Sequence, residues 1–185
     1  MSPIDSTIEG MGPGEVKLYE VHRHWFGLAI VYFQVAFGLG AGLLLVGFLA
    51  PSVFPNTDPG QRNFIFSGVL GLLAILAWLI LMVYTYIYRQ SKLIISDKNL
   101  TQILQHGLFH RKVSELSLTN VEDVTANSRG FFSSMFGFGE LLVETAGEQN
   151  NFYFKYCPNP NLYGKIILDA RQKYTDAVLA NNPNP

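Results

Sequence analysis

Two long apolar stretches decide the fold of this chain: Trp25 to Leu49, WFGLAIVYFQVAFGLGAGLLLVGFL, and Phe64 to Tyr88, FIFSGVLGLLAILAWLILMVYTYIY. Neither stretch contains a lysine, an arginine, an aspartate or a glutamate. A helix needs about 20 apolar residues to cross the hydrocarbon core of a bilayer, and each stretch is longer than that. A core helix of a soluble protein is the alternative, but two such stretches in 185 residues favour a membrane protein. We predict a two-helix transmembrane hairpin over residues 25–88, with spans of about 25–49 and 64–88.

The basic residues near the ends of the two stretches predict the topology. Lys17 and Arg23 precede the first stretch, Arg89 and Lys92 follow the second, and Arg62 alone lies in the connection. Lysine and arginine accumulate on the cytoplasmic side of membrane proteins. We therefore expect a multi-pass membrane protein with both termini in the cytoplasm. The acidic start of the chain lacks an apolar core, so the first span is expected to act as an uncleaved signal anchor.

Composition excludes several classes of function. A net charge of −1 with 15% charged residues argues against a nucleic-acid-binding protein, which usually carries a basic face. The polar residues within the spans are few, chiefly Gln34, Ser67 and Thr85, and none is ionisable, which argues against a transporter or pump. Cys157 is the only cysteine, so no intrachain disulfide forms, as expected on a reducing cytoplasmic side.

Small residues mark one face of each predicted span. Gly38 and Gly42 form a GxxxG pair in the first span, and Ser67 and Gly71 form a similar pair in the second. Small residues let helix backbones approach closely in a membrane, where water does not drive packing. We favour packing of the two helices against each other, and homodimerisation through the glycine face is the alternative.

Behind the second span the pattern changes to short strands separated by turn residues. We predict strands over 92–96, 100–105, 108–113, 116–127, 140–145 and 152–156. Apolar residues every four positions from Ile166 to Val178 then predict a helix over Leu162 to Leu179. The predicted domains are a cytoplasmic N-terminal segment (1–24), the hairpin (25–88), a small barrel or sandwich plugged by its C-terminal helix (89–180), and a disordered tail (181–185).

Several motifs in this region resemble one known family. They are Leu93-Ile-Ile-Ser-Asp-Lys-Asn-Leu-Thr, Gly107-Leu-Phe-His-Arg, Leu116-Ser-Leu-Thr-Asn-Val-Glu-Asp-Val, Phe136-Gly-Phe-Gly-Glu-Leu-Leu-Val-Glu-Thr-Ala-Gly and Pro158-Asn-Pro. Together they look like the bacterial pleckstrin-homology-like family of membrane proteins, often described as YdbS-like or DUF304. The resemblance implies an α+β membrane protein in which a transmembrane hairpin precedes a pleckstrin-homology-like barrel of two bent sheets, capped by the C-terminal helix. It also implies the bacterial cytoplasmic (inner) membrane as the location of the protein. It implies no enzyme activity and supplies no functional residues.

Basic residues are the first candidates for a binding site. Phosphoinositide-binding pleckstrin-homology domains gather cations between their first two strands, whereas this loop offers only Lys98. The densest basic patch is His110-Arg111-Lys112. We favour an ordinary solvated strand edge, with membrane-surface contact as the alternative. Arg111, Lys112 and Arg129 are the predicted contacts for a lipid headgroup or phosphate.

The segment Arg129 to Phe138 is unusually rich in aromatic residues. One helical turn could bury Phe132, Met135 and Phe136 on a single face and so close one end of the barrel. The alternatives are a loop that dips into the bilayer and a hydrophobic contact with another subunit. The predicted contact residues for a partner are Phe131, Phe132, Phe136 and Phe138.

No arrangement of residues points to catalysis or to a cofactor. His22 and His24 lack the further ligands of a metal site, and Glu122 and Asp123 face opposite sides of a strand. The sequence contains no phosphate-binding loop and no hydrolase triad order. We therefore expect a protein that is not an enzyme and needs no metal or cofactor.

The leading hypothesis is a non-enzymatic, membrane-anchored scaffold that binds a protein partner or a second copy of itself at the cytoplasmic face. Anchoring would raise the effective concentration of even a weak binding site. The second hypothesis is recognition of anionic lipid headgroups, which salt-sensitive liposome binding would favour. The third is an accessory subunit of a membrane transporter or enzyme complex, which copurification of that complex would favour.

Overall fold

A computed structural model describes residues 12, 14–53, 55–146 and 151–181. They divide into two compact units, one spanning Gly27–Tyr86 and the other formed by the chain up to Phe26 and from Ile87 onward. The elements in chain order are β1 Lys17–His22, α1 Phe26–Val53, α2 Pro59–Gln90, β2 Lys92–Ser96, β3 Asn99–Gln105, β4 Arg111–Ser117, a 3-10 turn Leu118–Asn120, β5 Val121–Asn127, α3 Phe131–Phe136, β6 Phe138–Thr145, β7 Phe152–Pro158 and α4 Pro160–Asn181.

The two apolar stretches form helices longer than the sequence predicts. α1 has 28 residues and α2 has 32, which corresponds to about 42 and 48 Å of helix. α2 begins early because Pro59 suits the first position of a helix and Asp58 caps it, its Oδ2 accepting the Gly60 amide at 3.0 Å. Both helices are long and apolar enough to cross a membrane, and their most apolar windows contain no buried residue.

The glycine face of the hairpin remains open. The Tyr32 hydroxyl and the Thr85 hydroxyl, one on each helix, hydrogen-bond at 2.8 Å. Farther along, a groove of about 440 Å³ is lined by residues of both helices that include Gly38, Gly42 and Ser67. A Cβ added at Gly38, Gly42 or Gly71 would meet no atom within 4 Å, so α1 and α2 do not use these glycines for a close approach.

The second unit contains two antiparallel sheets and a helix. The first sheet has the order β1-β2-β3-β4 and the second the order β5-β6-β7. Their inner faces share one core with α4, which contributes Ile167 and Ala170 opposite residues such as Leu100, Leu141 and Phe154. The predicted α+β class, with two long apolar helices and two sheets, is confirmed.

The first strand is an element that the sequence did not reveal. β1 pairs antiparallel with β2, from Lys17 opposite Ser96 to His22 opposite Lys92. Val21 is its one fully buried residue. The carboxylate of Glu20 accepts hydrogen bonds from Lys92 at 2.7 Å and from Lys17 at 2.9 Å. Part of the predicted N-terminal segment therefore belongs to the first sheet.

Two predicted strands have different limits. β4 begins at Arg111 rather than Leu108, because the chain turns between His106 and His110, whose backbone N–H and C=O groups pair at 2.9 Å. The strand predicted over 116–127 is interrupted by the 3-10 turn, where the Leu118 amide donates to the Lys98 carbonyl at 2.9 Å as the chain passes between the sheets. The connection between the strands predicted over 140–145 and 152–156, which the sequence predicts to be a hairpin loop over 147–151, and the predicted tail lie largely outside the described residues.

The Glu20 carboxylate provides a pH-dependent test of β1. Lys92 first and Lys17 second lower its pKa from 4.5 to about 2. A lowered folded pKa means that the pairing stabilises the fold above about pH 4.5 and that this stabilisation is lost as the pH falls toward 2. Because the groups remain partly solvated, we expect Glu20→Gln to cost about 1 kcal/mol at neutral pH. Thermal unfolding of the full chain in detergent between pH 2 and 7 measures it, with Glu122→Gln as the exposed control. A Glu20→Gln curve parallel to that of the wild type would contradict the assignment.

The docking of α4 gives a second test. Ile167 is fully buried in the shared core, whereas Leu162 on the same helix is 53% exposed. We expect Ile167→Ala to lower the free energy of unfolding by about 2–5 kcal/mol, because it leaves a cavity. Leu162→Ala, the matched control, should change it by about 0.5 kcal/mol or less. Chemical unfolding in detergent, followed by near-ultraviolet circular dichroism, distinguishes the two, and equal losses would contradict the packing of α4.

Candidate functional site

An aromatic cluster forms where the chain passes from β1 toward α1. We define it as the rings of Trp25, Phe26, Phe132, Phe136 and Phe138. Phe26 is central, with ring centroids 4.8 Å from Phe138, 5.0 Å from Phe136 and 5.4 Å from Phe132. Trp25 adds an edge-to-face contact with Phe136 at 5.6 Å. Such pairs contribute about 0.5–1.5 kcal/mol each beyond area burial, so the cluster holds α3 against the start of α1.

Backbone geometry fixes the short helix α3 at both ends. Gly130 precedes it with φ of 100°, and Gly137 ends it in the left-handed region with φ of 68°. The Gly137 amide donates to the Ser133 carbonyl at 3.0 Å, and the Gly137 carbonyl accepts the Asn159 amide at 2.8 Å. Glycine is the residue that adopts such positive φ values without strain, so both ends of α3 depend on it.

The predicted contact residues have two different environments. Phe138 is 7% exposed and Phe136 is half-buried, whereas Phe131 is 74%, Phe132 55% and Met135 56% exposed. The predicted helical turn is present. The expectation that it buries Phe132 and Met135 is wrong, because the ring that enters the domain is that of Phe138, which follows the helix. We call the exposed residues Phe131, Phe132 and Met135 the α3 surface.

His24 joins the aromatic cluster to the neighbouring backbone. Its ring stacks on Phe138 at 5.3 Å, its amide donates to the Tyr156 carbonyl at 2.6 Å, and its carbonyl accepts the Tyr88 hydroxyl at 2.6 Å. Burial lowers the pKa of His24, which favours the neutral imidazole. Neutral Nδ1 can then accept the Phe26 amide at 3.3 Å. These contacts fix the residues that precede α1 and end α2.

A polar cleft of about 240 Å³ is lined by Ser133 of α3, but not by Phe131, Phe132 or Met135. Arg129 and Lys155 are its cations, and Asn127 and Ser133 add polar groups. Glu140 also lines it and accepts a hydrogen bond from the Tyr153 hydroxyl, which raises the pKa of Tyr153. The rim therefore carries charges of both signs. These groups can bind a polar or ionic partner, and in the described ranges no cluster of His, Cys, Asp or Glu could hold a metal ion.

The predicted basic contacts lie in different elements. Arg111 and Lys112 begin β4 of the first sheet, whereas Arg129 follows β5 of the second and lines the polar cleft. Phe109, in the turn before β4, is 99% exposed and was not among the predicted contact residues. The signal available in the sequence was the apolar pair Leu108 and Phe109, which stands between a glycine and basic residues. Assignment of this pair to a strand hid that signal.

Cys157 packs inside the domain. It is fully buried, and desolvation raises the pKa of its thiol to about 12. Since the thiolate is the reactive form, we expect negligible modification by maleimide at pH 7 in the folded protein and rapid modification after denaturation. Mass spectrometry of the labelled chain measures both rates. Rapid labelling of the folded chain would contradict the burial of Cys157.

Seven antiparallel strands in two sheets, closed by a C-terminal helix, define a pleckstrin-homology-like domain within the described residues. The profile of the family described as "Bacterial PH domain" matches residues 28–163, a stretch that includes both apolar helices. The chain therefore belongs to the bacterial PH domain family, and the resemblance seen in the sequence is confirmed. Membership in this family suggests a binding or scaffold module.

A solved structure is also similar to the chain. It is a DUF1696 family protein with a pleckstrin-homology domain from Shewanella loihica PV-4, at 17% identity and a TM-score of 0.32, and the match covers 45% of this chain and 69% of that one. No curated protein matches the chain significantly.

Proposed function

We propose that this chain is a non-enzymatic, membrane-anchored binding module of the bacterial cytoplasmic membrane. α1 and α2 span the bilayer, and the pleckstrin-homology-like domain faces the cytoplasm, where it assembles with a protein through the α3 surface. The protein is a second copy of this chain or another membrane-associated protein. The observation that carries the proposal is the braced α3 helix, which keeps Phe131, Phe132 and Met135 exposed although Phe138 beside them is buried.

The exposed apolar surface of α1 and α2 supports the membrane anchor. Phe33, Leu44, Phe48, Phe64 and Trp78 are all mostly exposed, as are many aliphatic residues between them. Apolar surface of this extent is unfavourable in water, and the hydrocarbon core of a bilayer would cover it. The Thr85 hydroxyl lies within the predicted second span. It hydrogen-bonds to the Tyr32 hydroxyl of the other helix and to the Leu81 carbonyl, the latter at 2.7 Å.

Strand pairing supports a hairpin rather than a single crossing. β1 precedes α1 and β2 follows α2, yet the two strands lie in one sheet. Paired strands must lie on the same side of a membrane, so α1 and α2 can cross it only together. The basic residues that flank the helices favour the cytoplasm as that side.

The chemistry of the α3 surface favours a protein as its partner. Aromatic residues and methionine are enriched at protein interfaces, usually as an apolar centre with a polar rim. The polar cleft that includes Ser133 of the same helix contains Arg129 and Lys155 but also Glu140. The Glu140 carboxylate would be repelled by an anionic leaflet, whereas a protein surface can pair both signs of charge. Contacts with Phe26 hold the helix in place, so binding would order few additional groups.

A charge introduced at the α3 surface tests this proposal. We expect Phe132→Asp and Phe131→Asp to weaken assembly by about tenfold or more, because exposed aromatic residues often contribute more than 1 kcal/mol to an interface. Substitution of Phe131 should disturb the position of α3 less than substitution of Phe132. The ring contact resolved for Phe131 is with Phe132 at 5.6 Å, whereas Phe132 also contacts Phe26. Cross-linking of the full chain in its native membrane, followed by mass spectrometry, measures the loss.

Leu162→Asp is the matched control for this experiment, because Leu162 is 53% exposed on α4 and lies outside the α3 surface. It should leave cross-linking unchanged. Membrane insertion and thermal stability of every variant are checked in the same preparation. Unchanged cross-linking of folded, inserted Phe131→Asp and Phe132→Asp variants would contradict the proposal. Links to the same transporter or enzyme subunit in every preparation would identify the chain as an accessory subunit.

A further inference from the structure

The turn between β3 and β4 presents apolar side chains in a braced conformation. We call residues His106–His110 the β3–β4 turn. Phe109 at its tip is 99% exposed, and Leu108 is 48% exposed. The His106 amide donates to the His110 carbonyl at 2.9 Å, and the Gln105 side-chain amide donates to the Gly107 carbonyl at 2.6 Å. The backbone of the turn is therefore held while its apolar tip remains uncovered.

The β3–β4 turn lies at the end of the first sheet that adjoins the last residue of α2. α2 ends at Gln90, and the hydroxyl of the next residue, Ser91, accepts the Gln105 amide at 3.2 Å. Gln105 is the last residue of β3, which runs antiparallel to β2. β3 therefore brings the chain back toward the end of α2, and the β3–β4 turn follows at that end of the sheet.

The charges around this sheet end are predominantly basic. Arg111 and Lys112 follow the turn directly and are exposed, and Arg89 lies in the last turn of α2. No aspartate or glutamate occurs between Asn99 and Ser114. In the same sheet, Glu20 on β1 already pairs with Lys92 and Lys17, and Glu115 on β4 lies toward the opposite end, where it accepts a hydrogen bond from Asn99.

We propose that the β3–β4 turn inserts Leu108 and Phe109 into the headgroup–acyl boundary of the cytoplasmic leaflet, while Arg111 and Lys112 contact lipid phosphates. An apolar tip beside cations is the combination that binds an anionic membrane surface. The arrangement differs from the mixed charges of the polar cleft at α3, which suit a protein. The inference rests on the proposed membrane anchor. It adds a second attachment point, which fixes the tilt of the domain against the leaflet.

An environment-sensitive label in the full chain tests the insertion. Leu108→Cys carries an NBD fluorophore and leaves Phe109 intact, and the buried Cys157 stays unlabelled in the folded protein. In proteoliposomes of phosphatidylcholine and phosphatidylglycerol, we expect blue-shifted emission and quenching by shallow doxyl lipids at least about twofold stronger than for a label in water. Lys98→Cys, in the turn at the opposite end of the same sheet, is the matched control and should be quenched by aqueous iodide instead.

Two further changes separate the apolar and the charged contributions. Phe109→Asp in the Leu108→Cys background should abolish quenching by doxyl lipids, because a carboxylate at the tip opposes insertion. Arg111→Gln with Lys112→Gln should reduce quenching in vesicles that contain phosphatidylglycerol and have little effect in pure phosphatidylcholine. Quenching that responds to neither change would overturn the inference.

A label at Leu76→Cys, within α2, reports on the anchor itself. Lipid quenching at Leu76 together with iodide quenching at Leu108 would overturn the insertion of the turn and leave the membrane anchor standing. Iodide quenching at both positions would overturn both. A blue-shifted Leu108 label that doxyl lipids do not quench would place the turn against protein, which also overturns the lipid contact.

Discussion

The place of β1 in the first sheet depends on one long-range closure, between the residues before α1 and those at the end of α2. The Tyr88 hydroxyl donates to the His24 carbonyl at 2.6 Å across a separation of 64 positions. Lys92 reaches Glu20 across 72 positions at 2.7 Å. Everything between is the helical unit, so β1 can pair with β2 only when the chain returns to the place that it left. Closing a long loop costs conformational entropy, which these contacts and the burial of Val21 must offset.

The same region shows how one residue type takes two roles. Phe136 and Phe138 face Phe26 and hold α3. Phe132 also contacts Phe26 but remains exposed, as does Phe131. Gly137 ends the helix, so that residue 138 starts a strand and its ring enters the domain. The α3 surface is held by these contacts but is not covered, which is what a preformed binding surface requires.

Much of the fold could be predicted from local patterns. The apolar stretches, β2, β3, β6, β7 and α4 follow periodicities that a short window contains. β1 could not be predicted, because Lys17–His22 buries only Val21 fully and its partner strand lies beyond the helices. The 3-10 turn between β4 and β5 was missed because the hydrogen bond that anchors its start, from the Leu118 amide, goes to the Lys98 carbonyl, which is distant in sequence.

The sequence located the candidate site but did not show which of its aromatic residues are buried and which are exposed. Composition was enough to single out the aromatic segment after Arg129. Its division into buried and exposed residues depends on Phe26, which lies more than 100 positions earlier and was assigned to a membrane span. Phe109 was missed for a related reason, since an alternating pattern does not show where a turn ends and a strand begins.

The two uncovered apolar features differ in the charges that accompany them, and that difference separates their proposed roles. Glu140 stands among the cations of the polar cleft at α3, whereas the β3–β4 turn is followed directly by Arg111 and Lys112. Both features contact the ends of the helical segment, through Phe26 at the start of α1 in one case and through Ser91 after α2 in the other. Lipid contact at the turn would limit how the domain tilts, and a restricted tilt would present the α3 surface to proteins in the same membrane. Anchoring and orientation together would then raise the effective concentration of a surface whose own affinity need only be modest.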